Sequence, residues 1–117
     1  MNFNDYQNKA LRTAVYPDSS LVIGLAYTCL GLTNEAGEVA GVLKKFFRDS
    51  PDYCLPTEHE WFTFQEKMKA ELGDTLWYIA AIAKELDLSL DEIAEANIEK
   101  LTSRASRGTI KGSGDDR

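Results

Sequence analysis

The sequence predicts an all-α fold, a four-helix bundle-like subunit, on three observations. Apolar residues recur at helical spacing over four long segments, proline and glycine punctuate the gaps, and no alternating apolar and polar run is long enough for a strand. With 117 residues, 44% hydrophobic and 27% charged, the chain has the composition of one ordinary globular domain, neither disordered nor membrane-spanning.

The first helix is expected over about residues 4–15, stopped by Pro17-Asp18-Ser19-Ser20, and the second over about 20–48. Pro51 and Pro56 bracket a loop. Thr57-Glu58-His59-Glu60 then has the spacing of a capping box, in which threonine and glutamate satisfy each other's free amides, so a third helix begins there and reaches about Leu86. Ser89-Leu90-Asp91-Glu92 repeats the signature and opens a fourth helix, which ends near Arg107-Gly108. No segment repeats another. Residues 1–107 are read as a single domain and 108–117 as a flexible tail.

The third helix reads Leu-Trp-Tyr-Ile-Ala-Ala-Ile-Ala from Leu76 to Ala83, apolar on every side, and such a helix must be covered all round. Four short-linked helices leave that cover incomplete, so a homodimer or homotetramer is expected.

Nineteen acidic residues against thirteen basic ones give a net charge of -6, which disfavours a nucleic-acid polymer as partner. The amino-terminal residues have no basic segment followed by an apolar run, and no stretch is long enough to span a bilayer; a cytoplasmic protein without a membrane partner is expected. Cys29 and Cys54 have no second pair to suggest a zinc site or disulfide framework and are read as free thiols.

Chemistry enters with two carboxylate pairs. Glu35 and Glu38 on the second helix, and Glu71 and Asp74 on the third, are each spaced by three residues, so each pair projects from one face. Counting about 100° per residue, Leu32, Val39, Val42 and Phe46 share the Glu35 side, and Tyr78 and Ile82 share the side of Glu71 and Asp74. A single ExxE pair is common on helices and usually solvated. Two pairs on apolar faces, each beside a glycine (Gly37, Gly73) that thins the helix surface, would repel one another unless they took up protons or a cation. Carboxylates without histidine or thiolate suit Mg²⁺, with Mn²⁺ as a substitute. Di-iron bundles use Glu-x-x-His pairs, and the single histidine, His59, lies outside both pairs.

On the fourth helix Asn97, Lys100 and Arg104 fall within an arc of about 60° beside an apolar stripe, a pattern that suits either phosphate oxygens or the dipole of a helix end. Lys45, two turns beyond Glu38, is a second phosphate candidate. Tyr78, one turn after Asp74, is the aromatic residue placed to meet a nucleotide, whereas Trp61 and Trp77 are read as core.

Glu35-x-x-Glu38, Glu71-x-x-Asp74 and Asn97-x-x-Lys100-x-x-x-Arg104, in that order on successive helices, resemble the MazG-like nucleoside triphosphate pyrophosphohydrolases, as does the tail from Arg107 to Arg117. The resemblance covers about residues 20–117 and points to the small single-domain members of bacteria and phages. It implies an all-α, dimeric or tetrameric enzyme that cleaves a (d)NTP between its α and β phosphates to (d)NMP and pyrophosphate. Glu35, Glu38, Glu71 and Asp74 match the Mg²⁺ ligands, and Asn97 and Lys100, with Arg104 following, match nucleotide-contacting positions. Glu38 is assigned the catalytic role of orienting the attacking water. The connector between Glu38 and Glu71 is longer than is common in the family, which leaves a base-specificity element open in residues 49–60. The alternatives are a pyrophosphohydrolase for another nucleotide such as phosphoribosyl-ATP, or a non-catalytic helical oligomer that binds a partner.

Overall fold

The computed structural model describes residues 1–50 and 56–114; Pro51 and Cys54, in the expected loop, lie outside the described residues. Among the described residues the chain forms four α-helices, α1 Phe3–Ala10, α2 Leu21–Asp49, α3 Glu58–Glu85 and α4 Leu90–Ser106, and no strand. The expected all-α, bundle-like architecture is what the chain adopts.

Side chains set the helix starts. Asn2 and Asp5 close a capping box on α1, Ser20 accepts from the Ile23 amide at the head of α2, and the boxes Thr57/Glu60 and Ser89/Glu92 open α3 and α4. α1 is shorter than the expected 4–15, because after Ala10 the chain tightens into a 3₁₀ turn over Leu11–Thr13 and Ala14 is extended. The Ala10 carbonyl, which a continuing helix would use, instead accepts from the Thr13 hydroxyl at 2.7 Å and from the Trp77 indole N–H of α3 at 3.2 Å, and the indole also donates to Thr13 Oγ1 at 2.9 Å. α4 ends at Gly108, whose positive φ of 69° lets its amide reach Ala105 and the Thr109 amide reach Arg104, the hydrogen-bond pair that closes a helix on glycine.

α2 and α3 lie side by side as the main antiparallel pair, with α1 packed on α3 and α4. Two glycines set the close approach. A Cβ at Gly24 would strike the Glu85 carboxylate, and one at Gly31 would strike the Tyr78 ring. At the far end of the pair the rings of Phe46 and Phe64 meet at 4.5 Å. Gln7 on α1 clasps the α3–α4 connection, donating to the Leu88 carbonyl and accepting from the Leu90 amide, both at 3.0 Å. Ala80, Ala81, Ala83 and Leu90 form the buried apolar core, with Tyr6 of α1 packed against it.

The chain is open for its size. Its radius of gyration is 17.8 Å, where about 13 Å suits a compact chain of this length. Large apolar side chains face water on three helices, Val22 and Leu30 on α2, Phe62 and Leu72 on α3, Ile98 and Leu101 on α4. No helix is long and apolar enough to cross a membrane among the described residues.

Candidate functional site

The antiparallel register of α2 and α3 brings Glu35 level with Glu71 and Asp74. One carboxylate oxygen from each lies within 4.8 Å of the others; Glu35 and Glu71 are half-buried and Asp74 is exposed. Glu38 is exposed and stands outside this group. Three residues of helix turn it about 60° around the axis from Glu35, and the seam with α3 favours Glu35. Three of the four acids named from the sequence therefore converge in one chain, and the fourth flanks them.

Three carboxylates this close repel strongly when ionised, and a divalent cation relieves that repulsion. The donor set contains neither imidazole nor thiolate, so it fits a hard, oxygen-seeking ion and gives no reason for zinc or iron.

Around the acids stand phenols. The Tyr78 hydroxyl is pushed above the usual tyrosine range, first by burial and then by Tyr27, Glu35 and Asp74, so it stays a neutral O–H donor beside the carboxylates. Tyr6 of α1 is raised in the same way, by burial and then by Asp74. Nothing in the helical periodicity links Tyr6 to the acids, because only the packing of α1 on α3 carries it there.

On the side of Glu71 away from Tyr78, the seam between α2 and α3 opens into a cleft of ≈ 550 Å³, bounded by Glu71, Lys67, Lys45, Phe46, Phe64 and His59. Lys45, named from its spacing as a phosphate candidate, lines this cleft. The sequence pattern does not single out Lys67, although it precedes Glu71 by four residues and so shares its face. Phe46 shares the Glu35 side in the sequence pattern, whereas the helical spacing of His59 and Phe64 reads as a cap and a core.

The α4 residues are elsewhere. Asn97 and Lys100 line a second, apolar cleft of ≈ 560 Å³ with Phe3, Leu76 and Ile79, between α3 and α4. Arg104 is only 6% exposed, and its guanidinium donates to the Gly114 carbonyl at 3.4 Å. None of these three residues lines the cleft beside Glu71, and the main contacts of α4 are with α1. The glycines beside the acids also differ from expectation: a Cβ at Gly37 or Gly73 would meet open space, and the close approaches fall at Gly24 and Gly31.

Comparison with known proteins shows the family. The model of the MazG nucleotide pyrophosphohydrolase domain matches residues 25–108, a span that includes both carboxylate pairs and the α4 residues. The Gene 37 protein of Mycobacterium phage L5 is 42% identical over 120 aligned residues, covering 100% of each chain. No solved structure matches.

Proposed function

The chain belongs to the MazG nucleotide pyrophosphohydrolase family, and from that membership we propose a Mg²⁺-dependent enzyme that hydrolyses a (d)NTP to (d)NMP and pyrophosphate. The observation that carries the proposal is the convergence of Glu35, Glu71 and Asp74 from two helices within 4.8 Å. Those three residues would hold the cation, with Mn²⁺ as a substitute. When bound, it supplies Lewis-acid polarisation of the phosphoryl oxygens and a water of lowered pKa.

The chain's own groups do the rest. Glu38, exposed one turn from Glu35, orients the attacking water and accepts its proton. Tyr78 keeps its proton and donates a hydrogen bond to the nucleotide. Lys45, in the cleft beyond Glu71, offsets phosphate charge. Asn97 and Lys100 contact substrate from α4; because they line a different cleft from Lys45 and Glu71, they serve the site of a second copy. Arg104 orients that segment through its bond to Gly114.

The assembly this requires is a homodimer or homotetramer. The chain exposes 8656 Å², against about 6,400 Å² for a compact monomer of this mass. An excess on the order of 2,000 Å² is what a permanent interface covers. We propose a cytoplasmic protein of one domain with a short tail after Arg107, and the net charge of -6 argues against a nucleic-acid polymer as partner.

The test is a panel of (d)NTPs and phosphoribosyl-ATP with Mg²⁺ or with a chelator, products identified by mass. Monophosphate plus pyrophosphate, formed only with the metal, is expected; diphosphate plus phosphate, or turnover in the chelator, would refute the assignment.

A further inference from the structure

The cleft beyond Glu71 contains more than phosphate chemistry requires. Moving away from the carboxylates along the α2–α3 seam, it passes Lys67 and Lys45 and then reaches an aromatic floor, Phe46 and Phe64, with His59 and Thr63 at its edge. Phe46 and Phe64 lie 4.5 Å apart and Trp61 packs on Phe64 at 5.4 Å, so the floor is a braced aromatic platform. In the opposite direction the seam closes: Tyr78 fills the gap above Gly31, and Glu85 fills the one above Gly24.

We propose that this platform is the nucleobase subsite, and that His59 and Thr63 read the polar edge of the base. The proposal rests on the nucleotide reading above and deepens it by fixing which way the nucleoside points. Phe64 precedes Glu71 by two helical turns, about 11 Å along the axis, the reach of a nucleoside 5′-phosphate from phosphorus to the far edge of its base. Lys67, one turn from Glu71, then lies beside the α-phosphate. An anion has no reason to seek the phenylalanine floor, whereas a flat, poorly hydrated base stacks on it whatever its sequence of ring atoms. His59 and Thr63 each offer both a donor and an acceptor, the equipment for discriminating between bases. His59 and Thr63 stand on the first two turns of α3, so specificity would be set at the head of that helix.

Two measurements on the full chain test this. In the first, His59→Ala, Thr63→Val and Phe64→Leu are compared with the unaltered protein over the four dNTPs with Mg²⁺. Phe64→Leu is expected to lower kcat/KM about tenfold through KM, and His59→Ala and Thr63→Val to flatten the ranking of bases. In the second, binding of dNMP and of inorganic pyrophosphate is measured directly; His59→Ala, at an exposed position that does not endanger folding, should weaken dNMP and leave pyrophosphate unchanged. An unchanged base ranking with unchanged dNMP affinity would overturn the subsite, as would equal loss of both ligands. Absence of pyrophosphate release by the unaltered protein would instead refute the reaction, and the binding comparison would still decide the subsite.

Discussion

The ring of Tyr78 on α3 occupies the space above Gly31 on α2 that a side chain would otherwise fill. That contact sets the separation of the two helices one turn from Glu35 and Asp74, and so the spacing of the carboxylates themselves. Gly31→Ala should therefore push the helices apart or rotate Tyr78, lowering stability by about 1–3 kcal/mol and lowering activity with it. Gly41, where a Cβ meets open space, is the control: Gly41→Ala should raise stability by about 0.5–1 kcal/mol through helix propensity alone. Thermal unfolding of the two variants checks both.

Glu71→Gln and Asp74→Asn remove one negative charge each from the converging group. In chelator, both variants should be as stable as the unaltered protein or more so, because repulsion is relieved. With Mg²⁺ the order reverses: at about 100 times its Kd the ion should stabilise the unaltered protein by about 2.7 kcal/mol and the variants by far less. Melting curves with and without Mg²⁺ measure it, alongside loss of pyrophosphate release.

Glu85 is nearly enclosed, its side chain 7% exposed, and accepts from the Tyr16 hydroxyl at 2.6 Å and from Lys84 at 3.0 Å. Those two hydrogen bonds, that from Tyr16 first, hold its carboxyl below the ordinary glutamate range. A folded value below the unfolded one means the stabilisation is complete above the ordinary range and is lost as pH falls through the lowered value. Tyr16→Phe should thus be less stable than the unaltered chain near neutral pH, and the gap should narrow on acidification below about pH 4. Urea unfolding across that range would show a constant gap if the bond contributed nothing.

Asp87, at the end of α3, has a φ of 55°, a conformation that disfavours a side chain. Its amide reaches the Lys84 carbonyl and the Leu88 amide reaches Ala83, closing the helix as glycine usually does. Asp87→Gly should raise stability by about 1 kcal/mol, read as an increased urea midpoint without change in slope.

Capping is a local interaction, so the sequence alone marks the starts of α3 and α4, through Thr57 with Glu60 and Ser89 with Glu92, and the end of α4 through Gly108. The carboxylate pairs are equally legible, since a spacing of three places two side chains on one face whatever the helix packs against. The end of α1 is less so: the Ala10 carbonyl there is shared between the nearby Thr13 hydroxyl and the Trp77 indole, 67 residues further on in the chain. The placing of Asn97 and Lys100 in a cleft other than that beside Glu71 is not legible, because a helical wheel describes one helix and is silent on which neighbour it meets.

Short-range physics was therefore legible in the residues: four helices, the caps of α3 and α4, and two carboxylate pairs. Tertiary structure alone decided that Glu35, Glu71 and Asp74 meet while Glu38 stands aside, that Gly24 and Gly31 rather than Gly37 and Gly73 admit the facing helix, and that Phe46, Phe64 and His59 border one cleft. Those outcomes depend on the register and closeness of α2 and α3, which are set by the fit of side chains such as Tyr78 and Glu85 into gaps on the opposite helix, a property of two surfaces together and not of either sequence segment.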